Sequence, residues 1–397
     1  MKQEVRVKMK GMLRWLLGLT LLLFIFSALA SSVVIEKNSD IPIKERAELA
    51  EILKSVGLSI PRIHIYQLGK DISITGVKDS KTQFKIRERT TTFENYRNTI
   101  ILDENSHIIG LSLQGSFKKI DPLTSLPRLR WLILAGNNLK EVPGLGSLKS
   151  LQELSLPVNK ISKLEHLVSP VLKYLYMPEN NLVSIQSLND LKALEYLHIS
   201  DNEITDMSPL SHLKNLKFLN IARNPFEKLV LDDLPKLQVL EAAGETATTV
   251  SFSDVSNLKE LNLNNQQLEK IEGLNSLQKL QRLTMSGKNI SSLNVSNLKD
   301  LRLFFFRSPA LNDMNNLKGL NRLTKLESLV VAHTNIKAIH NINKLTNLKY
   351  LGLGFNKIEK IEDLENLTQL ENLSLLDNNI KKIEGLETLK KLKKLKV

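Results

Sequence analysis

The sequence predicts a curved α/β solenoid, with a parallel β-sheet on its concave face and 3-10 or irregular turns on its convex face. The first observation behind this prediction is a spacing of about 22 residues between equivalent leucines, which is typical of stacked repeats. The second is an asparagine that recurs after each predicted strand. The third is a run of apolar residues at every third position beyond that asparagine.

The repeat is plainest near the C-terminus. Leu348, Leu351 and Leu353 are followed by Asn356, and the same residue types return from Leu370 onward. The alternation at the end of each L-x-x-L-x-L segment predicts a short, half-buried strand, and the later apolar residues at spacing three favour 3-10 turns. A degenerate first unit starts at Ile108, and the later units begin at Leu129, Leu151, Leu172, Leu194, Leu216, Leu237, Leu258, Leu280, Leu298, Leu326, Leu348 and Leu370.

An asparagine stands where the chain turns off most of the predicted strands. A buried amide at this place can donate to and accept from backbone groups of adjacent coils, which would otherwise stay unsatisfied in an apolar interior. We therefore expect a ladder of buried amides along the solenoid. Its predicted members are Asn137, Asn159, Asn180, Asn202, Asn224, Asn356 and Asn378.

The composition restricts the chemistry of the chain. It contains no Cys, which excludes disulfides, thiolate metal sites and cysteine nucleophiles. The formal net charge is +13, and a basic surface favours anionic partners. The alternative is a solvated surface on which Lys and Glu interleave along the repeats.

The first thirty residues have the three parts of a secretory signal. Basic residues come first, an apolar run from Trp15 to Phe26 follows, and Ala28-Leu29-Ala30 supplies small residues for a signal peptidase. We expect a secreted or cell-envelope protein, which argues against nucleic acid as a partner. An uncleaved anchor is the alternative, although the run is short of the roughly 20 residues a span needs; it would be the protein's membrane contact.

The expected organisation is a signal peptide at residues 1–30, an N-terminal cap region at residues 31–107 and the repeat solenoid at residues 108–397. In the cap, Asp40 begins a predicted helix and Gly57 ends it. Thr99–Leu102 and Ile108–Leu113 flank polar residues and predict a hairpin that leads into the first repeat strand.

The sequence ends inside a predicted repeat strand that is rich in lysine, from Lys390 to Lys396. Lysine on an exposed strand edge discourages further pairing. Three interpretations stay open: a solubilised end, an open edge that meets another subunit or a partner strand, and a gene product without its cap.

The regular spacing fails between Leu280 and Leu326, where Phe304, Phe305, Phe306 and Arg307 follow one another. Phe306 is expected at the place of the turn asparagine. One hypothesis is local repacking around a deletion and an insertion. The other is an apolar protrusion at the sheet edge that grips a partner.

Outward-facing strand positions carry the binding information, because packing determines the inward ones. In the N-terminal half we predict an exposed aromatic patch that binds the partner: Trp131, Ile133, Tyr174, Tyr176, Tyr196, His198 and Phe218. Rings of this kind concentrate binding energy, and the alternative is that they only stabilise strands. The expected rim charges are Glu153, Asp201, Arg223, Glu241 and Arg302, and the C-terminal half has mostly small or polar residues: Asn262, Thr284, Ser328, Gly352 and Ser374.

The sequence predicts no catalytic, cofactor-binding or metal-binding residues, and hence no cofactor and no enzyme. His333 and His340 belong to one coil but are expected on opposite sides of it. Gly110–Gly115 is similar to a nucleophile elbow but has one residue too many and lies inside a predicted repeat strand.

These repeats resemble the leucine-rich repeats of about 22 residues that occur in bacterial internalins and in a phosphatase regulatory subunit. The resemblance covers about residues 108–397. It implies a binding scaffold that recognises a protein partner on its concave face. Glycan or cell-wall binding by the aromatic residues, and assembly through the C-terminal edge, are the alternatives.

Overall fold

The computed structural model describes residues 64–67, 99–103, 105, 107–114, 126–164 and 167–397. The predicted signal peptide and the predicted cap helix lie outside these residues. Within them, no helix is long and apolar enough to cross a bilayer.

A parallel sheet runs the length of the described chain and forms the concave wall of the solenoid. The described residues contribute sixteen strands to it, each paired with the strand of the next coil. Numbered in chain order across all sheets, these strands are β1 (His64–Gln67), β2 (Thr99–Leu102), β3 (Ile108–Ser112), β4 (Trp131–Ile133), β5 (Glu153–Ser155), β6 (Tyr174–Tyr176), β7 (Tyr196–His198), β8 (Phe218–Asn220), β10 (Val239–Glu241), β12 (Glu260–Asn264), β14 (Arg282–Ser286), β16 (Leu303–Arg307), β18 (Ser328–Val331), β19 (Tyr350–Gly352), β20 (Asn372–Ser374) and β21 (Lys394–Lys396). The predicted solenoid is confirmed.

The N-terminal end of the sheet departs from the parallel rule. β2 and β3 pair antiparallel, so the expected hairpin is present. β1, which the sequence analysis did not anticipate, pairs parallel with β2 and extends the sheet by one strand. The boundaries of the cap region stay a prediction.

The core is one continuous column of Leu and Ile side chains inside the coils. In each unit the middle strand residue points inward, as Leu154, Leu175 and Leu197 do with no exposed surface. Each unit is too small to bury its apolar face by itself, and stacking on its neighbours removes that face from water.

Short 3-10 helices occur on the convex side, as the apolar spacing of three predicts. They span Leu145–Ser147, Gln186–Leu188, Ser208–His212, Leu274–Ser276, Met314–Asn316 and Leu320–Arg322.

The structure adds short sheets on the convex side that were not expected. β9 (Lys228–Asp232), β11 (Thr249–Ser253) and β13 (Lys270–Glu272) pair in parallel, as do β15 (Leu293–Asn294) and β17 (Leu317–Lys318). In β9 buried and exposed residues alternate strictly, and this period of two favours a strand over a helical turn.

The asparagine ladder is confirmed, and Asn159 shows its geometry. Its Nδ2 donates to the carbonyl oxygens of Leu134, Leu156 and Pro157 at 2.8, 3.2 and 3.1 Å. Its Oδ1 accepts from the backbone N–H groups of Asn137 and Leu139 at 3.2 and 3.0 Å. One side chain thus joins two coils and satisfies five backbone groups inside the apolar interior.

The expected break in the repeat is wrong, because the register predicted for this unit was shifted from the true one. Leu283, Phe304 and Leu329 are direct partners in neighbouring strands, so the sheet is continuous through this region. Phe306 aligns with Val331 rather than with a turn asparagine, and neither Phe304 nor Phe306 has exposed surface. The hypothesis of an apolar protrusion at Phe304 and Phe306 is therefore wrong; these two side chains belong to the core.

Candidate functional site

Strands β4 to β8 place their outward side chains in two columns on the concave face, because they pair parallel and in register. The first column is Trp131, Glu153, Tyr174, Tyr196 and Phe218. The second column is Ile133, Ser155, Tyr176, His198 and Asn220. All seven residues of the predicted patch lie in these two columns.

Ring contacts run along each column between neighbouring strands, and His198 joins the two columns by its contact with Phe218, with ring centroids 6.5 Å apart. Tyr196 stacks on Phe218 with ring centroids 4.3 Å apart, and Tyr174 lies tilted on the other side of Tyr196 at 6.2 Å. In the second column Tyr176 contacts His198 edge-on at 4.7 Å. Such pairs hold one another in fixed rotamers, so the face is stiff.

The predicted exposure of the patch is wrong for two of its members. Tyr196 is 4% exposed and Ile133 is 5% exposed, because adjacent side chains on a concave wall cover one another. Trp131, Tyr174 and Phe218 are half-buried, as are Tyr176 and His198. The rings of β6 to β8 contact one another, whereas Glu153 separates Trp131 from them in the first column, and part of the patch surface is covered.

Glu153 is not the rim charge that the sequence suggested. It is the second member of the first column, between Trp131 and Tyr174, and is only 3% exposed. Its Oε1 has no hydrogen-bond partner, and burial raises the pKa of its carboxyl to about 7. A buried carboxyl of this kind is costly to ionise.

A polar chain borders the second column at His198. The hydroxyl of Ser200 donates to Asp201 Oδ2 at 2.8 Å, and Asp201 binds both the Nε and the Nη2 of Arg223. Since a hydroxyl has one proton to donate, His198 Nε2, at 2.9 Å from Ser200 Oγ, must be the donor there.

This donor order is the reverse of that in a Ser-His-Asp triad, in which the histidine accepts the serine proton. Burial also lowers the pKa of His198 to about 4. The chain of contacts therefore orients His198 as a neutral ring beside Tyr176 and does not activate Ser200.

The other predicted rim charges are paired across coils. Glu241 accepts from Asn262 Nδ2 at 2.7 Å, and Arg302 donates to Glu327 at 3.1 Å. Glu327 also accepts from Lys349 at 2.8 Å. Ion pairs of this kind are close to neutral as a unit and lie at the surface, which favours the interpretation of interleaved, solvated charges.

The C-terminal half has outward aromatic residues beyond the predicted binding patch. Phe305 points outward, and the centroid of its ring lies 5.4 Å from the guanidinium carbon of Arg307. Phe355, which is 47% exposed, stacks on His333 at 4.2 Å. Phe305 belongs to the run for which an apolar protrusion was the hypothesis, and it is the one phenylalanine of the three that points outward. Phe355 lies in the turn after β19, outside the outward strand positions.

His, Asp and Glu side chains do not form a group that can hold a metal ion anywhere in the part of the chain that the structure describes. His333 lies in the turn that follows β18, and His340 lies on the convex side of the same coil.

A family model described as "Leucine Rich repeats (2 copies)" matches residues 127–169, 170–212, 192–236 and 324–366. These ranges contain the strands and asparagines described above. These stretches of the chain are leucine-rich repeats. The comparison with curated proteins finds no match for it.

Solved structures support the fold of this leucine-rich-repeat protein. An internalin from Listeria monocytogenes is 25% identical with a TM-score of 0.53, over 66% of this chain and 84% of that one. A leucine-rich-repeat protein from Leptospira interrogans is 22% identical with a TM-score of 0.59, over 72% and 83%. The ectodomain of a plant receptor kinase from Arabidopsis thaliana, solved in complex with Casparian strip integrity factor 2, is 22% identical with a TM-score of 0.53, over 76% and 41%.

The internalin-like repeat class predicted from the sequence is thus confirmed. Repeat folds of this type present extended concave surfaces that bind partners, and this supports a binding role for the leucine-rich-repeat protein.

Proposed function

We propose that this protein is a non-catalytic binding protein that recognises a protein partner through the concave face of β4 to β8. The observation that carries the proposal is the cluster of contacting rings in β6 to β8, on a sheet whose strands are held by backbone hydrogen bonds and buried amides. A rigid aromatic face loses little conformational entropy on binding.

The half-buried rings are suited to act as anchors. Trp131, Tyr174 and Tyr176 combine a large apolar surface with a polar group and have few rotatable bonds. Residues of these types dominate the binding energy of protein interfaces when they lie near the centre of the contact. The plant receptor ectodomain with a similar fold was solved with its protein ligand bound, which is in keeping with the proposal.

The glycan alternative has less support from the geometry. Sugars stack on the open face of an aromatic ring, whereas Tyr196 and Phe218 cover each other's faces at an interplanar angle of 6°. The outward edges of these two rings give a sugar no face to stack on, which favours the mixed apolar and polar surface of a protein.

The proposal includes binding outside the cytoplasm. Its support is the arrangement of basic residues, apolar run and small residues within the first thirty positions. Sequencing the N-terminus of the mature protein would distinguish a cleaved signal from an anchor.

Affinity capture with matched variants tests the proposal. The wild-type protein, a Tyr174→Ala/Tyr176→Ala variant and a Tyr350→Ala control would be immobilised and exposed to envelope extract or host-cell lysate, with mass spectrometry of the retained proteins. Tyr350 is an exposed tyrosine of the same sheet, in β19, away from the two columns.

We expect a protein retained by the wild type and by the Tyr350→Ala control to be lost from the double variant. Equal retention by all three would overturn the proposal. Retention on peptidoglycan or polysaccharide resin that depends on the same two tyrosines would favour the glycan alternative instead.

A further inference from the structure

Glu153 occupies a position on the concave face for which the fold gives no structural reason. Its strand neighbour Leu154 points into the core, so Glu153 points to the opposite side of the sheet. Trp131 and Tyr174 are its register partners in the adjacent strands, each roughly 4.8 Å away across the sheet. A carboxylate between two aromatic residues is therefore built into the first column.

One oxygen of this carboxylate lacks the hydrogen bond that a buried polar atom normally has. Its Oε1 is buried without a hydrogen bond, and burial alone accounts for its raised pKa. Lys173 and Lys217 do not pair with Glu153, because both form ion pairs with Glu195, at 3.9 and 2.5 Å. A buried polar atom without a hydrogen-bond partner is uncommon and destabilising. A bound partner can supply the group that pairs with this oxygen.

The chemistry of Glu153, Trp131 and Tyr174 determines which group of a partner fits beside them. A carboxylate attracts a cation, and the faces of Trp and Tyr rings attract ammonium and guanidinium groups as well. An apolar or anionic group would leave the charge unpaired. We propose that Glu153, flanked by Trp131 and Tyr174, is the site that receives a Lys or Arg side chain of the protein partner.

This inference rests on the proposed function, since it names what the concave face recognises. A cationic ligand group is compatible with the positive net charge of the protein, because recognition at this site depends on one local carboxylate and not on the overall charge. Binding draws the carboxyl toward its ionised form and lowers its pKa in the complex.

Trp131 provides a direct readout of this site. Trp15 and Trp131 are the two tryptophans of the chain, so a Trp15→Phe background leaves a single tryptophan, next to Glu153, which can be excited selectively over the tyrosines. The probes are Nα-acetyl-lysine methylamide and Nα-acetyl-arginine methylamide, with the norleucine analogue as a neutral control of similar size. The variants are Glu153→Gln and, as a matched control, Glu179→Gln, whose side chain is exposed in the turn after β6.

We expect saturable changes in Trp131 emission with the lysine or arginine probe at pH 8 and none with the norleucine analogue. Glu153→Gln should weaken binding by about tenfold or more, and Glu179→Gln should leave it unchanged. Equal responses to charged and neutral probes, or full binding by the Glu153→Gln variant, would overturn the cation site.

The same variant separates this inference from the proposed function. A captured partner that Glu153→Gln retains fully, and that Tyr174→Ala/Tyr176→Ala loses, refutes the cation site and leaves concave-face recognition standing. A partner that is retained by both variants refutes the proposed function itself.

Discussion

Tyr196 lies flat on Phe218, with ring centroids 4.3 Å apart and ring planes at 6° to each other. The two residues are register partners in β7 and β8, and Tyr196 is 4% exposed. The stack is therefore part of the packed structure of the sheet, whereas the half-buried rings of Tyr174 and Tyr176 keep surface for a partner. One aromatic patch thus divides into covered residues that support the face and half-buried residues that keep surface for the proposed contact.

This division predicts different stability losses for two tyrosines. Tyr196→Ala removes a buried ring and its stack, so we expect a loss of about 3 kcal/mol in the free energy of unfolding. Tyr176→Ala should cost about 1 kcal/mol, because its ring is only half-buried. Urea unfolding followed by circular dichroism measures both, and equal losses would contradict the division.

The asparagine ladder predicts a large loss at a buried amide. Asn159→Ala leaves the carbonyl of Leu134 and the N–H of Leu139, among others, without their side-chain partner. Each unsatisfied buried group costs about 1–3 kcal/mol, so we expect a loss of about 3 kcal/mol or more. Asn378→Ala is the control: Asn378 makes four of the five corresponding contacts and is only half-buried. Its loss in urea unfolding should be clearly smaller.

The repeat array was predictable from the sequence because its signals are periodic. Leu351 and Asn356 recur in kind from coil to coil, and each repetition confirms the spacing. The register of β16 was not predictable in this way, since phenylalanines replace leucines there and the turn asparagine is absent. The spacing of apolar residues in this unit is compatible with two alignments to the repeat. Only the pairing of β16 with β14 and β18 shows which alignment is correct.

The chemistry of the site was less predictable than its position. The outward columns follow from the alternation of strand residues, so Trp131 and Tyr174 were placed correctly. The burial of Glu153 was not foreseen, because a charged residue at an outward position is exposed unless its neighbours cover it. That covering depends on side-chain packing across three strands, and the spacing of residues along the sequence gives no information about such packing.

The buried carboxyl of Glu153 predicts a stability that falls as the pH rises. Its pKa is 4.5 in an ordinary environment and about 7 in the folded protein. The folded state therefore holds this proton more tightly, and its contribution is complete below about pH 4.5 and is lost as the pH rises through about 7. The gap corresponds to about 3 kcal/mol.

Glu153→Gln removes this loss, so the variant should be more stable than the wild type at pH 8 by an amount approaching that figure. The difference should shrink toward pH 4. Urea unfolding at pH 4, 6 and 8 measures it, with the exposed Glu179→Gln as the control. A variant less stable than the wild type at pH 8 would refute the prediction.

His198 predicts the opposite dependence. Burial lowers its pKa from the ordinary 6.5 to about 4, so its contribution to stability is complete above about pH 6.5 and is lost as the pH falls through about 4. We expect His198→Gln to flatten the loss of stability over this window, whereas His212→Gln, at an exposed position of a convex 3-10 helix, should not. Unfolding midpoints at pH 4, 5 and 7 compare the two variants with the wild type.

A strained valine at the edge of the concave face predicts a stabilising substitution. The turn after each of β5 to β8 places one residue in the left-handed region, and at Val158 the φ angle is 55°. A β-branched side chain is an outlier there, and the conformation costs an L-residue about 1–2 kcal/mol. Val158 is also 51% exposed, so its side chain contributes little packing. Val158→Gly should therefore stabilise the protein by about 1 kcal/mol.

Val183→Gly is the matched control for this substitution. Val183 is 53% exposed, and its φ is not among the positive values of the described residues, so glycine brings no relief there. We expect it to lower stability by about 0.5–1 kcal/mol through the added freedom of the unfolded chain. The thermal midpoints of the two variants should move in opposite directions, and a shift of the same sign in both would show that Val158 is not strained.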